Sequence, residues 1–198
     1  WELISKNIPD VPVGTWVSRV TPSRFDRNVV YATFDNHAYG DMKTYVAKSS
    51  DGGKTWVNIS KDKVLQGYAH VIIEDTENRD LLFLGTEFGL YISMDGGSNW
   101  VLYKSKLPEY VAVRDIVIHA KSSDLVIGTH GRGIFIIDDI SPMRRLTSDI
   151  LQKDAALLPT RSTAVTSGHY GSAFPSTDSY AGQNASEIAT IQYYLKDR

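Results

Sequence analysis

The octapeptide Ser49-Ser50-Asp51-Gly52-Gly53-Lys54-Thr55-Trp56 returns as Ser93-Met94-Asp95-Gly96-Gly97-Ser98-Asn99-Trp100, with Asp and Trp both recurring at an interval of 44 residues. Self-similarity at such a period is the signature of a repeat architecture. The chemistry of the stretch is that of a tight turn. Two adjacent glycines supply the positive φ a sharp reversal demands. An Asp two residues after the Ser accepts backbone N–H groups across the bend. The Trp buries a large apolar face between neighbouring sheets. None of these steps needs a ligand, so Ser49, Asp51, Gly53, Thr55, Trp56, Ser93, Asp95, Gly97 and Trp100 are read as structural residues.

Outward from the turns the repeat continues. Trp1, Leu3, Ile8 and Pro9 align with Trp100, Leu102, Leu107 and Pro108, so the chain is expected to open on the tail of a truncated copy. Gly85 to Ile92 answers Gly128 to Phe135 with one residue inserted. Between these landmarks lie short β-branched runs broken by Gly, Asp, Asn and Pro, a pattern of strands and turns. Strands are expected over 16–21, 29–34, 45–48 and 56–59, then 69–74, 81–85, 90–93 and 100–103, then 111–119, 125–128, 134–138 and a weaker 143–146. Four strands in each ~40–45 residues is the spacing of a propeller blade. The expected fold is all-β: a partial β-propeller of about three four-stranded blades with an irregular C-terminal tail. Residues 1–15 are the tail of a truncated blade, 16–62, 63–108 and 109–147 are blades, and 148–198 form a linker with a final strand over 188–195 leading to another module. A short helical turn is expected over 148–153.

Composition bounds the function classes. With 198 residues, 42% hydrophobic, and 21 Lys+Arg against 23 Asp+Glu, the chain carries no electrostatic footprint for nucleic acid. No run approaches the ~20 apolar residues of a membrane helix. Cys is absent, which excludes disulfides, thiolate zinc sites and cysteine nucleophiles. The five His (37, 70, 119, 130 and 169) show no metal-binding spacing, and Asp138-Asp139 lacks the alternating oxygen ligands of a calcium loop. No metal and no cofactor are expected. Asn58-Ile59-Ser60 and Asn184-Ala185-Ser186 are N-glycosylation sequons that matter only in a eukaryotic secretory host. The chain opens at Trp1 and is read as a piece of something longer.

The repeated octapeptide resembles the Asp-box of bacterial-neuraminidase-type repeats, which occurs in sialidases, xyloglucanase-type glycosidases and the sortilin receptor family. The segment Val113-Arg114-Asp115-Ile116, then Asp124 to Ile134, then Asp138-Asp139-Ile140 resembles the last propeller blade of large bacterial sortilin-like proteins. Those proteins are often labelled glycosyl hydrolase-like. Tyr180 to Asn184 and Ala189 to Leu195 resemble the join from that propeller to a β-sandwich module. In the third blade Asp138-Asp139-Ile140-Ser141-Pro142 stands where an Asp-box would sit, as suits a terminal blade. A ring needs about four to eight blades. The remaining blades are therefore expected on another chain or in a missing segment.

The innermost strand of each blade lines the channel, so its polar residues are the candidates for ligand binding: Arg19, His70, Arg114 and Asp115, with Tyr68 and Tyr110 on the entering loops. His130 and Arg132, on the Gly-rich turn Thr129 to Gly133, add an anion- or sugar-binding candidate. The resemblance to sialidases implies an arginine triad, a Tyr nucleophile with a Glu partner and an Asp acid, toward which this chain offers Arg19, Arg114, Asp115 and Tyr110. The competing interpretation makes Arg114 and Asp115 an inward structural pair bonded to neighbouring blades, and the Gly-rich turn a hairpin whose Arg132 reaches a carboxylate. A paired-carboxylate glycosidase needs two acids ~5–9.5 Å apart. Asp115, Glu87, Glu74 and Asp75 are available, the last two on what reads as an exposed turn. The catalytic candidates are Arg114, Asp115 and Glu87.

The expected function is a non-catalytic, extracytoplasmic binding or scaffolding propeller, sortilin-like, taking a peptide, glycan or protein. The alternatives are a sialidase- or xyloglucanase-like glycoside hydrolase with part of its site outside this chain, and a structural component of a surface assembly. In the last, blade edges or the tail tyrosines 170, 180, 193 and 194 would make the contacts.

Overall fold

The structure, a computed structural model, describes residues 7–105, 107–160, 162 and 190–196. The first sheet holds β1 (Trp16–Pro22), β2 (Val30–Asn36), β3 (Asp41–Ser49) and β4 (Val57–Asn58), antiparallel in that order. The second holds β5 (Ala69–Glu74), β6 (Leu82–Thr86), β7 (Gly89–Ser93) and β8 (Val101–Leu102). The third holds β9 (Val113–His119), β10 (Asp124–Thr129) and β11 (Ile134–Ile137). This is the up-and-down order of propeller blades, and the chain is a partial propeller.

The sheets pack face to face. Between the first and second lie Val29, Tyr31, Val46, Ile72, Leu82, Leu84, Tyr91 and Trp100. Between the second and third lie Val71, Phe83, Leu90, Val113, Ile116, Leu125 and Ile127. The second sheet is thus covered on both sides, which is why Leu81-Leu82-Phe83-Leu84 is an unbroken apolar run rather than an alternating one. The third sheet alternates: Ile116, Leu125 and Ile127 are buried while Val117, Ile134 and Ile136 are exposed on its far face. At Gly85 the two sheets approach so closely that a Cβ would sit 2.6 Å from the Val113 carbonyl oxygen.

The first strands are also tied by hydroxyls. Ser18 donates to the Ala69 carbonyl at 2.7 Å and Thr21 to that of Ile72 at 2.8 Å. These bonds stand in for a backbone ladder that separate sheets cannot form.

The two repeated turns have the expected chemistry in full. Gly52, Gly53, Gly96 and Gly97 all have positive φ. The Thr55 and Asn99 backbone N–H groups each donate to the Asp of their own turn at 2.9 Å. Hydrogen bonds from Thr55 bring the Asp51 pKa down to about 2. Each turn then fastens to its own sheet: Gly52 N–H donates to Asn28 O and Gly96 N–H to Asp80 O, both at 2.8 Å. In the third sheet Ile140 N–H makes the same bond to Ser123 O at 2.8 Å, so Asp138-Asp139-Ile140 occupies the place of the turn.

Three expectations are corrected. Met143–Arg145 is a 3-10 turn and not a fourth strand, because the chain leaves the sheet after Pro142 to carry Arg144 into a pocket of the second sheet. The tail is not wholly irregular before the last strand: β12 (Ala155–Leu158) pairs with β13 (Gln192–Leu195). Ala155-Ala156-Leu157-Leu158 has neither β-branched residues nor alternation, and its partner is remote in sequence, so no local pattern marks it. Glu74 and Asp75 are not exposed but 5% and 0% accessible, and each is spent on a neighbouring segment. The helical turn is present as α1 (Ser148–Leu151). Trp1, Leu3, His169, Tyr170, Tyr180 and the Asn184 sequon lie outside the described residues.

Candidate functional site

In an up-and-down sheet, the turn from second to third strand lies at the end where the first strand begins. The turns after β2, β6 and β10 therefore share one end with the loops entering β5 and β9. Four of the inner-strand candidates meet there. Arg19 of β1 reaches over β5 to Asp115 of β9, with Nη2 2.8 Å from Oδ1, which links the first and third sheets. Arg114 turns instead to the second sheet. Its guanidinium lies 3.6 Å from Glu87 Oε2 and 3.4 Å from His70 Nδ1. Arg114 and Asp115 are not a pair with each other, because the β-bulge between Val113 and Asp115, opposite Gly128 and Thr129, sends them to different neighbours.

His70 is the buried member, 6% exposed, and its ring contacts fix its chemistry. Glu87 Oε2 lies 3.0 Å from Nε2. An Arg guanidinium only donates, so Nδ1 must accept and Nε2 must carry the proton given to Glu87. The ring is therefore neutral. Burial lowers its pKa, the Glu87 hydrogen bond opposes that, and the Arg114 charge adds to the lowering. Glu87 also accepts from the Tyr68 hydroxyl, whose pKa is raised first by burial and then by Glu87.

Beyond Tyr68 the site continues through residues that sequence reading did not single out. The His37 ring stacks on Tyr68 with centroids 4.5 Å apart, and Asp35 Oδ1 holds His37 Nδ1 at 2.6 Å. The signal was positional. His37, Glu87 and His130 occupy the same second-to-third-strand turn in successive sheets, and a comparison of turns rather than of strands would have found them.

His130 and Arg132 do not join the cluster. The His130 backbone N–H donates to Ala112 O at 2.9 Å, and Gly131 and Gly133 have the positive φ of a hairpin. Arg132 is exposed, and among the described residues no carboxylate lies within ion-pair reach of it. No group of metal-ligating side chains occurs among the described residues.

The sign of the His70 shift sets a pH dependence. Its folded pKa lies below the ordinary 6.5, so between those values the unfolded chain binds the extra proton. This contribution is full above 6.5 and is lost as pH falls from there through the folded pKa. Urea midpoints measured at about pH 7.5 and about pH 5.5 should fall less in His70→Gln than in the unsubstituted protein. Equal falls would show that His70 is not the group responsible.

The fold and this end of it define a partial β-propeller with a cluster of charged and aromatic side chains at one end of its sheets. The sequence model of the Sortilin-Vps10 family, described as sortilin, neurotensin receptor 3, matches residues 44–174. The chain belongs to that family. Among solved structures it is similar to a GH74 enzyme of Niastella koreensis, with 21% identity over 62% of this chain and 21% of that one, at a TM-score of 0.51. It is also similar to the GH74 xyloglucanase from Xanthomonas campestris, with 15% identity over 73% of this chain and 25% of that one, at a TM-score of 0.50. At such identities the likeness is one of fold. The chain spans 21% and 25% of the length of those structures. A comparison with curated proteins gave no match. Among the described residues no helix is long and apolar enough to cross a membrane.

Proposed function

We propose that the chain is part of a non-catalytic, extracytoplasmic binding propeller whose ligand meets the channel mouth formed by Arg19, His70, Glu87, Arg114 and Asp115. The observation that carries this reading is how these charges are spent. Asp115 faces Arg19 at 2.8 Å, and Glu87 faces His70 at 3.0 Å and Arg114 at 3.6 Å. A general acid needs a carboxyl in surroundings that favour its protonated form, and a tyrosine nucleophile needs a lowered pKa. Here both carboxylates sit against cations, and Tyr68 is shifted the other way. The repeated turns are read as structural Asp-boxes. The exposed far face of the third sheet (Val117, Ile134, Ile136) and the exposed Trp16, Val17 and Val20 of the first are read as contacts for further blades.

The rival reading is a glycoside hydrolase, with xyloglucan or sialoside substrates, completed by residues outside this chain. The full-length protein incubated with xyloglucan and with a sialyl-lactose probe should release no reducing sugar or sialic acid. The same protein immobilised on a sensor should retain a ligand from a glycan or peptide panel, and that retention should be lost in Arg114→Ala. Hydrolysis that vanishes in Glu87→Gln would overturn the non-catalytic assignment.

A further inference from the structure

Tyr110 stands beside the cluster in an unusual state. It enters β9 with φ 55°, the left-handed region that a bulky side chain seldom adopts, and it is 75% exposed. Backbone strain of this kind clusters at functional sites and ligand clamps. Its ring meets Phe88 edge to face, with centroids 6.2 Å apart. Phe88 is itself fixed by the turn, its N–H donating to Thr86 Oγ1 at 3.1 Å, and it lies against Gly67, where a Cβ would come within 3.0 Å of its ring. Phe88 follows Glu87 in the same turn and Tyr110 lies on the loop entering β9, so both rings belong to the end of the sheets that carries the Glu87–Arg114 contact.

The chemistry of the ligand follows from charge. Arg19 is paired with Asp115, Arg114 faces Glu87, and His37 is held by Asp35. Arg114 and Glu87, the groups offered to a ligand here, offset each other's charge. They leave polar edges: the Arg114 side chain is 45% exposed and its two partners lie at 3.4 and 3.6 Å. Its remaining N–H groups therefore point at solvent in a fixed plane. A platform of one exposed ring, with planar donors and acceptors of offsetting charge at the same end of the sheets, matches a sugar, which presents apolar C–H faces and hydroxyls together.

We propose that Tyr110, supported by Phe88, is a stacking platform for a neutral saccharide unit whose hydroxyls are held by Arg114 and Glu87. This rests on the channel mouth being a binding site, and it names the ligand class for that site.

The test is calorimetric titration of the full-length protein with cellohexaose and xyloglucan heptasaccharide as neutral probes and oligogalacturonate as the charged one. The expected result is saturable binding of a neutral probe that hardly changes between low and high salt. Tyr110→Ala should weaken it by about tenfold or more, the loss of one aromatic stacking contact, while Tyr110→Trp retains it. Circular dichroism of each variant confirms folding, and Tyr110→Gly should raise stability by relieving the backbone while abolishing sugar binding. Binding of oligogalacturonate alone, with a steep salt dependence, would overturn the proposal. So would a neutral-sugar affinity unchanged in Tyr110→Ala. Retention of a peptide that needs Arg114 but not Tyr110 would leave the binding propeller standing and remove the saccharide. Loss of every ligand in unsubstituted protein would remove both.

Discussion

Replacing Arg144 by Ala is expected to cost about 3–5 kcal/mol of folding stability, the range for stranding one partner of a buried ion pair. The guanidinium spends all five of its N–H groups. Nε and Nη2 grip the two Asp75 oxygens at 2.9 and 3.0 Å, Nη1 reaches Glu77 at 2.7 Å and Ser123 at 2.9 Å, and Nη2 also reaches Thr76 at 3.2 Å. The Arg144 side chain is 6% exposed and that of Asp75 is 0% exposed, so truncation leaves a carboxylate in the interior without a cation. Guanidinium chloride denaturation of the full-length protein reads the loss directly. Arg144→Met combined with Asp75→Leu should be less damaging than Arg144→Ala alone, because neither charge then remains. A single-variant loss below about 1 kcal/mol would mean that the pocket is hydrated and the pair behaves as a surface one.

Trp100→Ala is the second large effect, at about 3–5 kcal/mol for truncating a buried aromatic. Trp100 is 3% exposed and packs in the layer between the first two sheets. Its indole N–H donates to Ile59 O at 2.9 Å and its backbone N–H to Asp62 at 2.9 Å, both on the segment leaving the first sheet. Trp100→Phe restores most of the area but leaves the Ile59 carbonyl without its donor, and should cost about 1–3 kcal/mol. Trp56→Ala should be milder than Trp100→Ala. Trp56 is 8% exposed, its indole N–H donates within its own turn to Gly53 O, and it packs against the first sheet and the segment at Ile8 and Val11. The ordering of the two alanine variants by thermal melting is the check. A larger loss at Trp56 would place the main inter-sheet contact on the wrong side.

These two residues also show what was legible in the sequence. Trp100 announces itself because its turn is built from neighbours in the chain: glycines, Ser93 and Asp95 act within a few residues of one another, so spacing alone carries the information. Arg144 gives no such sign. Its carboxylate partners lie almost seventy residues away, in a stretch that looks like a polar surface turn, and only the stacking of the third sheet on the second brings them together. The same division runs through the site. Arg19, His70, Arg114 and Asp115 could be picked out because inner strands line a channel. Asp35 and His37 are missed by reading the strands, since a short polar turn taken alone looks alike whether it faces solvent or a neighbouring ring, and only the alignment of successive turns marks His37. Nor could the separate partners of Arg114 and Asp115 be read, because a bulge leaves no trace in two adjacent charged residues.

The backbone bond made by Gly52, Gly96 and Ile140 to the first turn of their own sheets has an implication for how such chains diverge. Two of these positions sit within a conspicuous motif and the third does not, yet the N–H group and its carbonyl partner are preserved in all three. A main-chain hydrogen bond places no demand on the side chain that carries it. Repeats held in this way are free to lose their signature one residue at a time while keeping their architecture. Units counted by motif will then fall short of units counted by fold, and the shortfall will be greatest among the most diverged copies.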